Sequence, residues 1–227
     1  MSFNPHQWYL NGLKKSVAYL TISTTSVSAT WSPGTVTNSG ATLTWDVTGD
    51  ITPTSQTIND PTFDLSANTG TVNMNVYDVS RLTYLDCYSN GLTAINVTQS
   101  KALTHLWCNL NSLTALNVTQ NTLLSNLSCG DNNLTTLDVT LNILLTNLYC
   151  QNANISALDV TQNTVLTYLD CRYNNFSSTV TNSVLAALVA NGNTNGRLHY
   201  RNNETGQGVT DRETLVTRGW TITNYAT

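Results

Sequence analysis

A cysteine returns every 21 residues between residues 82 and 178: Cys87, Cys108, Cys129, Cys150 and Cys171. All five cysteines of the 227-residue chain stand on that one ladder. A fixed period of this length is the signature of a solenoid, whose units bury their apolar edges only against neighbouring units. No other feature narrows the possible folds as far.

The period carries a frame. One unit reads Leu103-x-x-Leu106-x-Cys108-x-x-Asn111-x-Leu113-x-x-Leu116-x-Val118. The unit before it supplies Leu82, Leu85, Cys87, Asn90, Leu92, Ile95 and Val97. Leu85 and Cys87 are two apart, so their side chains leave one face of a strand. Ile95 and Val97 repeat that spacing and predict a second short strand, giving each unit two extended sides. The first strands should stack as a parallel sheet about 4.8 Å apart. Asn90, Asn111, Asn132 and Asn174 stand where that strand ends, placed to pair with backbone groups that a buried turn would strand. Ala153 replaces the asparagine in one unit, whose turn should be less well tied.

These residues resemble the leucine-rich repeat, in the short bacterial 21-residue (IRREKO-type) class with the pattern LxxLxCxxNxLxxLDV. The resemblance covers residues 82–178. It implies a right-handed leucine-rich-repeat solenoid, mainly β, used for recognition, with no shared catalytic activity. Helices often line the convex side of such proteins, but 21 residues leave little room for one.

The flanking segments read differently. Residues 1–60 suggest a β-rich N-terminal cap, with strands over Val17–Ser23 and Ala41–Val47 and turns at Ser32-Pro33-Gly34 and Asn38-Ser39-Gly40. Leu43-x-Trp45, within the second of these strands, also has the spacing of a repeat strand but lacks its asparagine. Residues 61–81 read as a degenerate first repeat: Phe63-x-Leu65-x-x-Asn68 copies the strand frame, and Met74 and Val76 fall 21 before Ile95 and Val97. Regular units fill 82–178. Residues 179–227 predict a C-terminal cap with two helices, one begun near Thr181-Asn-Ser and stopped by Asn191-Gly192, the other over Thr210–Thr217. Leu198-x-Tyr200 and Trp220-x-Ile222 supply two further strands. This end resembles those of leucine-rich-repeat proteins from bacteriophages and gut bacteria, and all segments together read as one continuous domain.

Composition excludes several roles. Charged residues are 10% of the chain and the formal net charge is −4, so no basic patch invites nucleic acid. No run has the length of a transmembrane helix, and Met1–Leu20 lacks the apolar core of a signal peptide. The expected setting is intracellular or virion-associated, or that of a trimmed surface protein. P-loop, dinucleotide and HExxH motifs are missing. A straight ladder of thiols is not the tetrahedral cluster that zinc needs. Five parallel thiols also leave one over from any pairing, so the cysteines are expected to be reduced, buried hydrophobes. No metal or cofactor is called for. Seven N-x-[ST] sequons, at Asn96, Asn117, Asn126, Asn133, Asn154, Asn175 and Asn203, are expected by chance in a chain this rich in Asn and Thr.

Function should sit where the frame leaves residues free. On the outward face of the first strands one row is Tyr84, His105, Asn126, Asn147, Tyr168, and the next is Asp86, Trp107, Ser128, Tyr149, Asp170. A third row, at the strand ends, is Tyr88, Asn109, Gly130, Gln151, Arg172. Exposed Tyr and Trp are enriched at binding centres, although large side chains also suit exposed strands for their own sake. The expected function is non-enzymatic recognition of a protein or glycan partner, with no nucleic acid or membrane bound. A structural place in a phage or prophage virion or surface assembly is the alternative. A hydrolase using His105, with Asp86 and Ser128 on the adjoining rungs, is a remote one, because no nucleophile elbow or oxyanion turn accompanies it. His6 and His199 offer no partners in the sequence pattern.

Overall fold

Residues 19–24, 36–38, 44–48, 54–57, 72–77, 82–201 and 203–225 are described by the structure, a computed structural model. Its elements are β1 (Tyr19–Thr24), β2 (Val36–Asn38), β3 (Thr44–Thr48), β4 (Thr54–Thr57), β5 (Val72–Tyr77), β6 (Leu82–Asp86), β7 (Leu92–Asn96), β8 (His105–Trp107), β9 (Asn126–Ser128), β10 (Asn147–Tyr149) and β11 (Tyr168–Asp170), then α1 (Ser178–Asn191), β12 (Arg197–Arg201), α2 (Gln207–Thr217) and β13 (Thr221–Tyr225).

The 21-residue period becomes a stack of strands in strict register. Strands β6, β8, β9, β10, β11, β12 and β13 run parallel in that order, and β2 closes the β6 edge antiparallel. Leu85, Leu106, Leu127, Leu148, Leu169, Leu198 and Ile222 pair in one row across the sheet. The cysteines follow two residues on, all free and buried, and Tyr200 takes the next place in that row, also buried. Every repeated Leu, Cys, Ile and Val of the regular units belongs to one continuous core.

The asparagine frame ties each turn to its neighbour. Asn111 Oδ1 accepts from the backbone N–H of Asn90 (3.0 Å) and Leu92 (2.9 Å) one rung back. Its Nδ2 donates to the carbonyls of Cys87 (2.9 Å) and Cys108 (3.0 Å). Asn132 and Asn174 repeat the pattern. Ala153 is buried in the corresponding place and offers no side-chain amide, while its backbone N–H donates to Asn174 Oδ1 (3.2 Å).

The second side departs from expectation. Among the described residues only β7 is a strand there, and it is one because β1 pairs with it, Ile22 opposite Ile95. In later units the inter-rung bonds on that side are sparse, such as Asn133 N to Leu113 O (2.8 Å) and Asn175 N to Ile155 O (2.8 Å). Leu116, Val118, Leu137 and Val139 are nonetheless buried, so side-chain packing rather than a sheet ladder holds that side. Strand β5, which contains Met74 and Val76, does not stack on β7. Strand β1 lies between them in an antiparallel sheet ordered β4-β3-β5-β1-β7, so Trp45 on β3 also belongs to that sheet. The Phe63-x-Leu65-x-x-Asn68 frame, Leu43, the Ser32-Pro33-Gly34 turn and His6 lie outside the described residues.

Helix α1 begins three residues before Thr181, with Ser177 Oγ accepting from Val180 N, and ends at left-handed Gly192. It packs on α2, and Trp220 is buried, its Nε1 donating to Asn193 O (2.9 Å). A Cβ at Gly196 would lie 2.6 Å from the Trp220 ring, so only glycine admits that ring. No helix among the described residues is long and apolar enough to cross a membrane.

Two outcomes follow. Asn132→Ala strands several buried backbone groups and should cost roughly 3 kcal/mol in urea unfolding, whereas Ala153→Asn should raise the urea midpoint. Burial pushes the Cys108 thiol from 9.0 up to about 12, and it raises the other four as well. An acid harder to ionise when folded stabilises the fold below its unfolded value, and that contribution is lost as pH rises. The urea midpoint should therefore fall between pH 9 and about 12, with a shallower fall in Cys108→Ala. Thiol labelling at pH 8 should be slow in the native chain and should reach all five cysteines in denaturant without reductant; rapid native labelling would contradict the buried row.

Candidate functional site: the outer face of the parallel sheet

On each three-residue strand the middle leucine points into the core and its two neighbours face outward, as in the His105, Leu106, Trp107 triplet. This alternation is the ordinary pleat. It sets Tyr84 beside His105 and Asp86 beside Trp107, then His105 beside Asn126 and Trp107 beside Ser128. The aromatic rings touch across strands. Tyr84 meets Trp107 edge-on, with centroids 5.5 Å apart, and lies 5.9 Å from His105. Tyr149 lies 4.6 Å from Tyr168, which lies 5.6 Å from His199. Two aromatic groups thus flank a polar strip formed by Asn126 and Ser128 on β9. His199, for which the sequence pattern offered no partner, joins the second group because β12 continues the sheet in register, Asp170 opposite His199.

Trp107 remains 40% exposed and Tyr88 50%. Asp170 differs from the expectation of an outward, solvated carboxylate: it is buried. It is paired with Arg172 at 3.2 Å, and its desolvation raises the carboxyl despite that partner. Gly130 is buried under Gln151, where a Cβ would meet the Gln151 side chain at 2.6 Å and its carbonyl oxygen at 2.7 Å. Gln151 in turn donates to Asp131 Oδ2 (3.2 Å). Asn109 and Asn147 sit in the same rows, and Asn147 Oδ1 accepts from Thr146 Oγ1 (2.8 Å).

The grouping of His105 with Asp86 and Ser128 does not assemble. Thr104 Oγ1 donates to Thr83 O (2.9 Å) and so accepts from His105 Nδ1 (2.9 Å). Asn126 Nδ2 lies 3.1 Å from Nε2. This network assigns the proton to Nδ1 and leaves Nε2 accepting from an amide, with neither nitrogen directed at a serine. Asp86 Oδ1 accepts from Tyr88 N (3.0 Å). Among the described residues no group of three or more His, Cys, Asp or Glu is placed to hold a metal ion.

Two periodic features escaped the sequence reading. Asn121, Asn142 and Asn163 are buried and form a second amide ladder on the turns that precede the first strands. Asn142 Nδ2, for example, donates to Val118 O (3.0 Å) and Asn121 O (2.9 Å). Ser100 starts this row, and Asn191 of α1 ends it. On the back, Asn96, Asn117, Asp138 and Asp159 each accept from the backbone N–H and hydroxyl of the threonine two residues on. The Asn96 and Asn117 sequons therefore serve as local turns. Those hydrogen bonds also hold the Asp138 and Asp159 carboxyls below their usual range. An open concavity of about 820 Å³ lies against them and α1, but their Oδ1 atoms are already committed to these turns.

The fold is that of the leucine-rich-repeat solenoids, a parallel sheet with a helical C-terminal cap. The functional domain of InlJ from Listeria monocytogenes, described as including a cysteine ladder, is similar at 32% identity with a TM-score of 0.50, over 62% of this chain and 31% of that one. A leucine-rich-repeat protein of Leptospira interrogans matches at 21% identity with a TM-score of 0.51, over 64% of this chain and 37% of that one. The chain thus spans about a third of the length of these structures. No protein-family model matches it, and no curated protein is significantly similar to it.

Gly130→Ala tests how closely the strand-end row is packed. The added methyl must displace both Gln151 and its backbone, and should cost about 1–3 kcal/mol by urea unfolding. A neutral result would mean that Gln151 does not close over β9.

Proposed function

We propose that this chain is a non-catalytic recognition module that binds a protein or glycan partner through the outer face of its parallel sheet. The 82–178 repeats carry the binding face, with residues 179–227 and 1–60 as its caps. The observation that carries the reading is the cross-strand aromatic pairing at Tyr84–Trp107 and Tyr149–Tyr168 on positions that the leucine and cysteine frame leaves free. The backbone beneath is fixed by sheet and amide ladders, so association orders little and loses little entropy. Trp107 is the best single anchor, with a large apolar face and one N–H donor.

The test pans a phage-displayed peptide library and a glycan array against the full chain, then measures the affinity of each binder for variants. Trp107→Ala should weaken binding by roughly 2 kcal/mol or more, with the thermal midpoint almost unchanged. Thr114→Ala, exposed on the second side, should change neither. Sparse charge predicts a weak dependence on salt. Binders indifferent to Trp107→Ala would overturn the reading.

A further inference from the structure

The five cysteines share one backbone setting. The N–H groups of Cys87, Cys108, Cys129, Cys150 and Cys171 donate to Trp107 O, Ser128 O, Tyr149 O, Asp170 O and His199 O, each on the next rung, at 2.7–2.9 Å. The parallel ladder therefore runs on through the cysteine row. Successive side chains leave it side by side, at the strand spacing of about 4.8 Å. All five thiols are free and buried within the leucine and valine frame. Each sulfur also feels the next: a charge on one is opposed by its neighbour in every adjacent pair from Cys87–Cys108 to Cys150–Cys171.

The pitch of this file decides what two neighbouring thiols can do. A disulfide needs Cβ atoms about 3.5–4.5 Å apart and side chains that converge. These run parallel on a wider pitch. A metal ion held in line by two sulfurs wants a wider gap, because two metal–sulfur bonds of about 2.3 Å set end to end span about 4.6 Å. Zinc takes four ligands in a tetrahedron, and the file offers an ion only the two sulfurs on either side of it. Soft sulfur ligands and low coordination together select Cu(I) and its redox-stable analogue Ag(I). The line between neighbouring sulfurs runs across their Cβ–Sγ bonds, where thiolate lone pairs lie.

Charge sets the stoichiometry. An apolar core admits a complex with no net charge. One monovalent ion that displaces one proton meets that demand: two sulfur–metal bonds form, one S–H bond breaks, and the proton leaves to solvent. No electron moves, and the pair keeps one thiol and one thiolate. A second ion on the far side of the same sulfur would lie in line with the first, which the lone pairs of sulfur do not allow.

We infer that the cysteine file is a binding site for soft monovalent cations of the Cu(I) class, each held in line between the thiols of two adjacent rungs. Five rungs then hold two ions and leave one thiol over. The site lies inside the core, so it stands or falls independently of what the sheet face binds.

The test refolds the full chain from urea with Ag⁺ in nitrate buffer. Dialysis against excess free methionine strips loosely held ions, and the silver retained is counted. Pairwise holding predicts two ions per chain, with two sulfur neighbours around silver by X-ray absorption. Cys129→Ala divides the file into two intact pairs and should still retain two. Cys108→Ala isolates Cys87 and should retain one. Cys150→Ala isolates Cys171 and should also retain one, so it supplies the same reading from the other end if Cys108→Ala does not refold by circular dichroism. The double variant Cys108→Ala, Cys150→Ala should retain none. Retention that follows the number of cysteines would mean that thiols bind singly. No retention by the parent would mean that the packed core shuts the ion out. Either result overturns the inference.

Discussion

An asparagine amide that bonds backbone groups of two rungs at once is the interaction on which this solenoid depends. Each turn after a first strand is buried, and its N–H and C=O groups have no ladder of their own. Buried backbone groups left unpaired are costly. Asn111, Asn132 and Asn174 meet that cost with one side chain, accepting from the rung behind and donating to carbonyls on both rungs. The second row, at Asn121, Asn142 and Asn163, works at the other end of the strands by donation alone, each Nδ2 reaching two carbonyls of the preceding rung. With both ends stitched, a strand of only three residues is held in register. The side between the stitches and the next unit then needs little hydrogen bonding of its own.

That division of labour explains which side of the molecule is available for recognition. The second side is closed by packing of Leu116, Leu137 and Leu158 and by local turns at Asn117, Asp138 and Asp159, whose acceptors are used internally. The sheet side has its backbone satisfied and its outward positions unconstrained by the frame. Two of its features cut against simple stability: aromatic rings left partly in water, and Leu110 and Tyr173 in left-handed turns. The same turn takes Ser89, Asp131 and Asn152 on the other rungs. Departures from local preference are the places where selection for something other than folding shows.

Much of this was legible in the sequence because a 21-residue period and a two-residue pleat are both written in residue types. The stack, its register, the asparagine ladder and the buried cysteines follow from those two periods. What was not legible depended on partners supplied from elsewhere in the chain. Ile95 and Val97 have the spacing of a strand in every unit, but a strand forms only where β1 arrives beside them. Asp170 reads as an outward carboxylate, and its burial and its ion pair with Arg172 are not visible in strand periodicity. His105, Asp86 and Ser128 are close in register, yet Thr104 and Asn126 hold the imidazole. The second asparagine row was visible at 21-residue spacing and escaped because Val-Thr-Gln-Asn looks like an ordinary polar turn. Left-handed φ at Leu110 and Tyr173 has no mark in residue type, since the marker is normally Gly or Asn.

The cysteine row shows how a repeat turns a local choice into a collective one. A single buried thiol resists ionisation because burial disfavours its charge. In a stack, a thiolate would also face the next rung: Cys108 opposes charge on both Cys87 and Cys129, and Cys171 and Cys129 oppose it on Cys150. Each neutral thiol therefore sits beside others that are equally reluctant to ionise, and the thiolate needed for exchange chemistry is suppressed along the whole file. Tyr200 ends the file with another buried acid whose phenol is pushed up by the same desolvation. A residue type known for reactivity serves here as a small apolar filler, and its inertness comes first from burial at each rung, with repulsion between neighbouring thiolates added to it.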